Sequence, residues 1–252
     1  MSKAAIPARR VLVTGGGRGL GAQIVRELTQ AGHEVIFTYR SAAAEAEALI
    51  KELSGAKVSA KAVDLADEQA VEAFAASLEN EGPLSGFVHN AGMSYDSLAA
   101  VMKISEAEKV MRVNFWSFVR ITQALVRPMT RARDGRIVVI GSLAALHANV
   151  GNGAYGASKA ALFAFARTLA TETARRGVTV NYIAPGFLDT EMLAPYAQYR
   201  EKLEAGIPGG RLGKPEDVAG LVTFLMSPSA SYITGAVLPV DGGLSAGLGV
   251  QR

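Results

Sequence analysis

The chain of 252 residues carries 26 basic and 23 acidic side chains, a formal net charge of +3, and no cysteine. This length suits one α/β domain whose core needs no covalent staple, and the lack of cysteine excludes disulfides, thiol nucleophiles and thiolate metal sites. Basic residues are dispersed among acids, no apolar stretch is long enough to span a bilayer, and Met1–Arg10 lacks the apolar core of a secretory signal. The expectation is a cytoplasmic protein that binds neither nucleic acid nor membrane.

Short apolar runs alternate with stretches of helical period. The first expected strand, Val11–Thr14, runs through Gly15-Gly16-Gly17-Arg18-Gly19-Leu20-Gly21 into a helix near Gly19–Ala31. Glycines permit positive φ and a close backbone approach, and the N–H groups of the following helix hold an anion such as a pyrophosphate. The alternative is an ordinary glycine turn, but strand, turn and helix stand in the order a dinucleotide cradle requires. The second strand, Val35–Tyr39, ends at Arg40. A site for NAD places an acid there to bond the ribose 2′-hydroxyl, whereas Arg40 with Arg18 suits a 2′-phosphate, so NADPH/NADP+ is the expected cofactor. Solvent-facing arginines are the alternative.

A helix near Ala42–Leu53 follows, on which Glu45 and Glu47 read as a solvated face. Then come a strand at Val58–Val63, a helix at Glu68–Glu81, a strand at Gly86–His89 and a long helix at Glu106–Val126. A strand at Arg136–Gly141 leads to a helix at Tyr155–Arg176 and a strand at Val178–Ala184. Residues 187–212 are irregular and expected to form a substrate lid. A helix at Pro215–Met226 and a strand at Ala236–Val240 close the chain. Strands with little polar alternation, each followed by a helix, predict a doubly wound Rossmann-type sheet of about seven parallel strands with helices on both faces. With no linker to divide it, residues 1–252 are expected to form a single cofactor-binding and catalytic domain.

Tyr155 and Lys159, spaced i, i+4, share one helical face. Ser142 ends the strand thirteen residues upstream of Tyr155, so all three should gather at the carboxyl edge of the sheet. His33, His89 and His147 lack the spacing of metal ligands.

With these landmarks, Asp64-Leu65, Asn90-Ala91-Gly92, Asn114, Pro185-Gly186 and Asp241-Gly242-Gly243, the chain resembles the short-chain dehydrogenase/reductases along essentially its whole length. Among them it looks most like the 3-oxoacyl-[acyl-carrier-protein] reductases. The resemblance implies that Ser142 binds a carbonyl oxygen, Tyr155 donates the proton, Lys159 favours the phenolate and bonds the nicotinamide ribose, and Asn114 links the site to solvent through its backbone carbonyl and water. It further implies that Asp64 and Leu65 contact the adenine, that Asn90, Ala91 and Gly92 line the adenine–ribose side, and that Pro185, Gly186, Leu188 and Thr190 approach the carboxamide.

The reaction so implied reduces a 3-oxoacyl thioester to the 3-hydroxyacyl thioester in fatty acid or polyketide synthesis. Basic residues at the positions of Arg133 and Arg176 would meet the acidic carrier, whereas Arg127, Arg131, Arg133 and Arg136 taken alone also read as a solvated turn after Pro128. Phe115, Trp116 and Phe118 read as core or as intersubunit packing. The resemblance implies the latter, since in the family their helix and the Tyr155 helix build a dimer interface, and it implies a homo-oligomer, commonly a tetramer. The chain departs from the family pattern at Ser85, where aspartate is common, and at His89, where Asn-Asn-Ala-Gly becomes His-Asn-Ala-Gly. The latter is expected to alter loop hydrogen bonding and leave the chemistry alone. Competing readings are a secondary-alcohol dehydrogenase acting on a free ketone, coenzyme A ester or polyketide, and a non-catalytic NADP-sensing protein.

Overall fold

A computed structural model describes residues 8–79 and 81–247. Seven strands, β1 (Arg10–Thr14), β2 (Glu34–Tyr39), β3 (Val58–Ala62), β4 (Gly86–His89), β5 (Gly135–Ile140), β6 (Val178–Pro185) and β7 (Val237–Val240), form one parallel sheet. Their spatial order is β3-β2-β1-β4-β5-β6-β7. The central strands are buried along their length, which is why their sequences read as continuous apolar runs.

Alternate residues of each strand enter opposite cores. Leu12, Phe87, Ile137, Val139, Val180 and Tyr182 pack on one face, with α3 (Glu68–Leu78), α5 (Ser117–Ala132) and α6 (Gly153–Thr173). Val11, Val13, Val88, Val138, Ile140 and Ile183 pack on the other, with α1 (Gly19–Gln30), α2 (Ala43–Glu52) and α8 (Pro215–Met226). Full burial of each large side chain contributes roughly 1.5–3 kcal/mol before chain entropy is counted. The strand order reverses between β1 and β4, so Thr14 and His89, paired in register at their ends, mark the topological switch point.

The long helix expected at Glu106–Val126 is built in three pieces, α4 (Ile104–Met111), a π-helical turn (Arg112–Trp116) and α5, and it extends past Pro128 to Ala132. Proline deprives a helix of one N–H. Here the loss falls near the end, on an exposed side, while Leu125 and Met129 anchor the last turns in the core. The segment expected to be irregular holds a 3₁₀ stretch (Glu191–Tyr199) and α7 (Arg200–Gly206). Among the described residues, no helix is long and apolar enough to cross a membrane.

Candidate active site

The glycine turn after β1 is shaped by close packing. Gly15 and Gly19 have φ of +67° and +53°, and a Cβ on Gly21 would lie 2.0 Å from the Gly15 carbonyl oxygen. The Asn90 amide donates to the carbonyls of Thr14 (3.1 Å) and Gly15 (2.9 Å), binding this turn to the end of β4. Arg18 provides no side-chain cap to α1, and no acid lies in its first turn, so the helix begins with uncapped N–H groups beside Leu20 and Gly21. An anion suits that position.

Arg18 and Arg40 are in different states. The Arg18 guanidinium pairs with Glu191 at 2.9 Å, with 62% and 74% of the two side chains exposed. Arg40 is exposed at the end of β2 and makes no ion pair among the described residues. Asp64 is exposed and accepts from the Ala66 amide at 2.9 Å, and Leu65 is buried beneath it. Past Pro185, Gly186 lies so close to the closing turn that a Cβ would fall 2.9 Å from Asp241 Cβ. Leu188 bridges to Gly213, and Thr190 is the nearest neighbour a Cβ on Gly19 would meet.

Ser142 stands one residue beyond β5, after Gly141, and Tyr155 and Lys159 are one turn apart at the start of α6. The Ser142 Oγ accepts from the Ala144 amide at 3.1 Å, leaving its own proton to donate outward. Lys159 is 3% exposed; its Nζ donates to the Ile140 carbonyl at 2.9 Å and stands 5.7 Å from the centre of the Tyr155 ring. A Cβ on Gly92 would come within 3.3 Å of that ammonium, so the glycine keeps the space beside it open. Burial lowers the Lys159 pKa to about 8. The Tyr155 phenol lies above its ordinary value: desolvation raises it, a bond from Ser142 lowers it and the charge of Asp96 raises it. Burial thus outweighs the bond from Ser142 at this phenol, while the Lys159 ammonium stands beside the ring.

Asn114 is fully buried in the π-helical turn. Its amide side chain accepts from the Met93 N–H (2.8 Å) and donates to the Met93 carbonyl (3.0 Å) and Ser158 Oγ (2.9 Å), fixing the loop after β4 against α6.

Two further groups of residues support the site without a motif that marks them in the sequence. Tyr182, an aromatic within the aliphatic β6, accepts from the Ser142 amide at 3.0 Å and donates to the Lys159 carbonyl at 3.2 Å. Its ring fills the place a side chain at Gly141 would take, 1.7 Å from the position of a Cβ there. A buried phenol needs such partners, and that requirement was the available signal. Asp96, from the loop after β4, accepts from Asn152 Nδ2 at 2.7 Å and from the Tyr196 hydroxyl, so it joins the 3₁₀ stretch to the loop after β5. Nothing in the spacing of these residues indicates that link.

On the surface, Thr130, Arg131, Arg133 and Arg176 line a basic depression, and Arg133 also donates to the Arg175 carbonyl at 3.1 Å. Arg136 does not belong to this group. It is buried on β5 with Asp134 3.5 Å away, and the expected turn after Pro128 is helix. A separate apolar depression is lined by Ile104, Met111, Trp116, Ala154 and Ala157. Of the three aromatics, Phe118 is core and Trp116 is 46% exposed.

A family model described as enoyl-(acyl carrier protein) reductase matches residues 15–245. The 3-oxoacyl-[acyl-carrier-protein] reductase MabA of Mycobacterium tuberculosis is 41% identical over 246 residues, covering 95% of this chain and 94% of the relative. The enzyme of that name from Pseudomonas aeruginosa, FabG, is 42% identical over 237 residues, covering 92% and 96%. Among solved structures, the complex of P. aeruginosa RhlG with NADP superposes with a TM-score of 0.88 at 36% identity, over 97% of this chain and 99% of that one. A short-chain dehydrogenase/reductase from Serratia marcescens superposes with a TM-score of 0.89 at 34% identity, over 96% and 100%.

Proposed function

The chain belongs to the short-chain dehydrogenase/reductase family, and from that premise we propose that it reduces the 3-oxo group of an acyl thioester on an acyl-carrier protein, with NADPH as reductant. The observation that carries this reading is the gathering of Ser142, Tyr155, Lys159 and Asn114 at the strand ends beside an uncapped, glycine-lined helix terminus. The names of MabA and FabG support the reaction, and the NADP held by RhlG supports the cofactor.

The residues present fit that cofactor. Gly15, Gly17, Arg18, Gly19, Leu20 and Gly21 would hold its diphosphate, Arg40 and Arg18 its 2′-phosphate, and Asp64 and Leu65 its adenine. Asn90, Ala91 and Gly92 would line the adenine–ribose side, and Pro185, Gly186, Leu188 and Thr190 the carboxamide. When bound, NADPH supplies the hydride.

The protein's part is to polarise the carbonyl and deliver a proton. The Ser142 hydroxyl donates to the substrate oxygen and draws charge onto it. Tyr155 Oη then gives its proton to that oxygen. A phenol held above its ordinary value begins in the protonated form that reduction requires. The cost is the phenolate left behind, and lowering a phenol from about 10 to about 7 takes roughly 4 kcal/mol of differential stabilisation. Lys159 supplies this as a buried ammonium, and the Asn114 carbonyl, through water, lies on the route by which the proton is restored. Residues 187–212 act as the lid, tied to the crevice by Arg18–Glu191 and Asp96–Tyr196. The carrier docks at Arg133 and Arg176, and the apolar depression on α4 and α6 is the contact of a homo-oligomer. Residues 1–252 work as one cofactor-binding and catalytic domain.

The test is NADPH oxidation against 3-oxoacyl carriers, coenzyme A esters and simple ketones. The highest kcat/KM is expected for the carrier-bound thioester; an equal or better free ketone would overturn the substrate assignment.

A further inference from the structure

His89 ends β4 at the switch point, fully buried, with the rings of Phe87 and Phe118 at 6.0 and 5.1 Å. Its Nε2 lies 2.9 Å from the main-chain carbonyl oxygen of Asn114. A carbonyl only accepts, so Nε2 carries the hydrogen. The neutral ring then presents a lone pair at Nδ1, which faces Thr14 Oγ1 at 3.2 Å. That oxygen already accepts from the amides of Asn90 (3.1 Å) and Ala91 (3.2 Å), leaving its own proton to donate to His89. Every donor in this chain points the same way, from the loop after β4 through Thr14 and His89 to Asn114. Burial, and then the charge of Lys159, hold the imidazole at about 3, so it stays neutral over the working range.

The site thus depends on a residue at which the family pattern has asparagine. Asparagine is one bond shorter between Cβ and its terminal donor than histidine is to Nε2. Its amide can replace the contact to Thr14 but falls short of Asn114. The Asn114 side chain is fully engaged by Met93 and Ser158, so the main-chain carbonyl is what Asn114 offers to its surroundings.

We propose that His89 is a positioning residue: it fixes the Asn114 carbonyl in its π-helical turn and joins it to Thr14, so that the cofactor cradle and the proton-relay end of the site form one unit. The inference rests on the reading of Asn114 as part of the route that returns the proton. His89→Gln keeps an N–H where Nε2 stands and loses the acceptor for Thr14, whereas His89→Asn keeps that acceptor and loses the donor to Asn114.

In purified full-length enzyme, His89→Gln should retain kcat within about threefold, while His89→Asn loses about tenfold, on the scale that small misplacements cost. In His89→Asn the solvent deuterium isotope effect on kcat should rise, with the KM for NADPH unchanged. Wild-type kcat in His89→Asn, or equal losses in both variants that follow a lowered Tm, would overturn the proposal. A measurement on the wild type does not depend on variants folding. Nitrogen-15 spectra of its three histidines, assigned by single substitutions at His33 and His147, should show the His89 ring as a neutral Nε2–H tautomer that does not titrate between about pH 5 and 9. An Nδ1–H tautomer or a titrating ring at His89 would overturn the proposal as well. Tyr155→Phe separates the two levels: if it is inactive while His89→Asn is normal, only the role of His89 fails, whereas an active Tyr155→Phe removes the catalytic reading beneath it.

Discussion

Tyr155 and Lys159 are four residues apart on α6, and burial moves each toward its neutral form. Removing the phenol oxygen in Tyr155→Phe should leave NADPH binding nearly intact and lower turnover by on the order of 10²–10⁴, checked by steady-state rates and a binding titration. For Lys159 the folded pKa of about 8 lies below the ordinary 10.5. Below about 8 the buried charge costs stability. Between these two values the unfolded chain holds the extra proton, so this group's contribution to stability rises with pH. Activity moves the other way, since the ammonium is lost. The kcat/KM for NADPH, which reports on the free enzyme, should fall as pH passes about 8; a flat profile to pH 10 would contradict the role given to the ammonium. Tyr182→Phe leaves the Ser142 amide without its acceptor and should cost about 1–3 kcal/mol in denaturant titrations. Ser142, Tyr155 and Lys159 were visible in the sequence because their spacing follows helix and strand geometry. Tyr182 and His89 act through partners 40 and 25 residues away, and that adjacency arises only when strands pair.

At the scale of elements, the strands were legible because burial on both faces leaves continuous apolar runs between turn signals. Helix ends were less so: Pro128 reads as a stop, yet Leu125 and Met129 bury enough apolar surface to carry α5 past it. The π-helical turn at Arg112–Trp116 has no composition of its own, since its residues suit an α-helix equally well. Cofactor choice also belongs to this scale, because it depends on the end of β2 and the start of α1. Arg40→Asp should weaken NADPH at least tenfold and NADH little, because a carboxylate repels a 2′-phosphate but accepts from a 2′-hydroxyl. Arg18 also pairs with Glu191, so on the proposed reading the larger loss of NADPH is expected at Arg40. Paired titrations with an unchanged NADPH/NADH ratio would contradict the assignment.

At the scale of the whole molecule, the basic depression around Arg131, Arg133 and Arg176 lies on the surface, apart from the crevice. Charges there act on encounter more than on chemistry. Reversing Arg133 and Arg176 to Glu should raise the KM for carrier-bound substrate and barely alter a short thioester mimic, and the wild-type preference should shrink as salt rises. Equal loss on both substrates would indicate a structural defect instead. The measurement that bears most directly on the central claim follows the hydride itself. Wild-type enzyme is given a 3-oxoacyl-carrier thioester and NADPH deuterated at the transferring position of the nicotinamide. One deuterium should appear at C3 of the 3-hydroxyacyl product for each NADPH consumed, and on the order of a hundredfold less labelled product, or lower still, with Tyr155→Phe over the same time. Oxidation of NADPH without label at C3, or no oxidation with any carrier-bound substrate, would contradict the account.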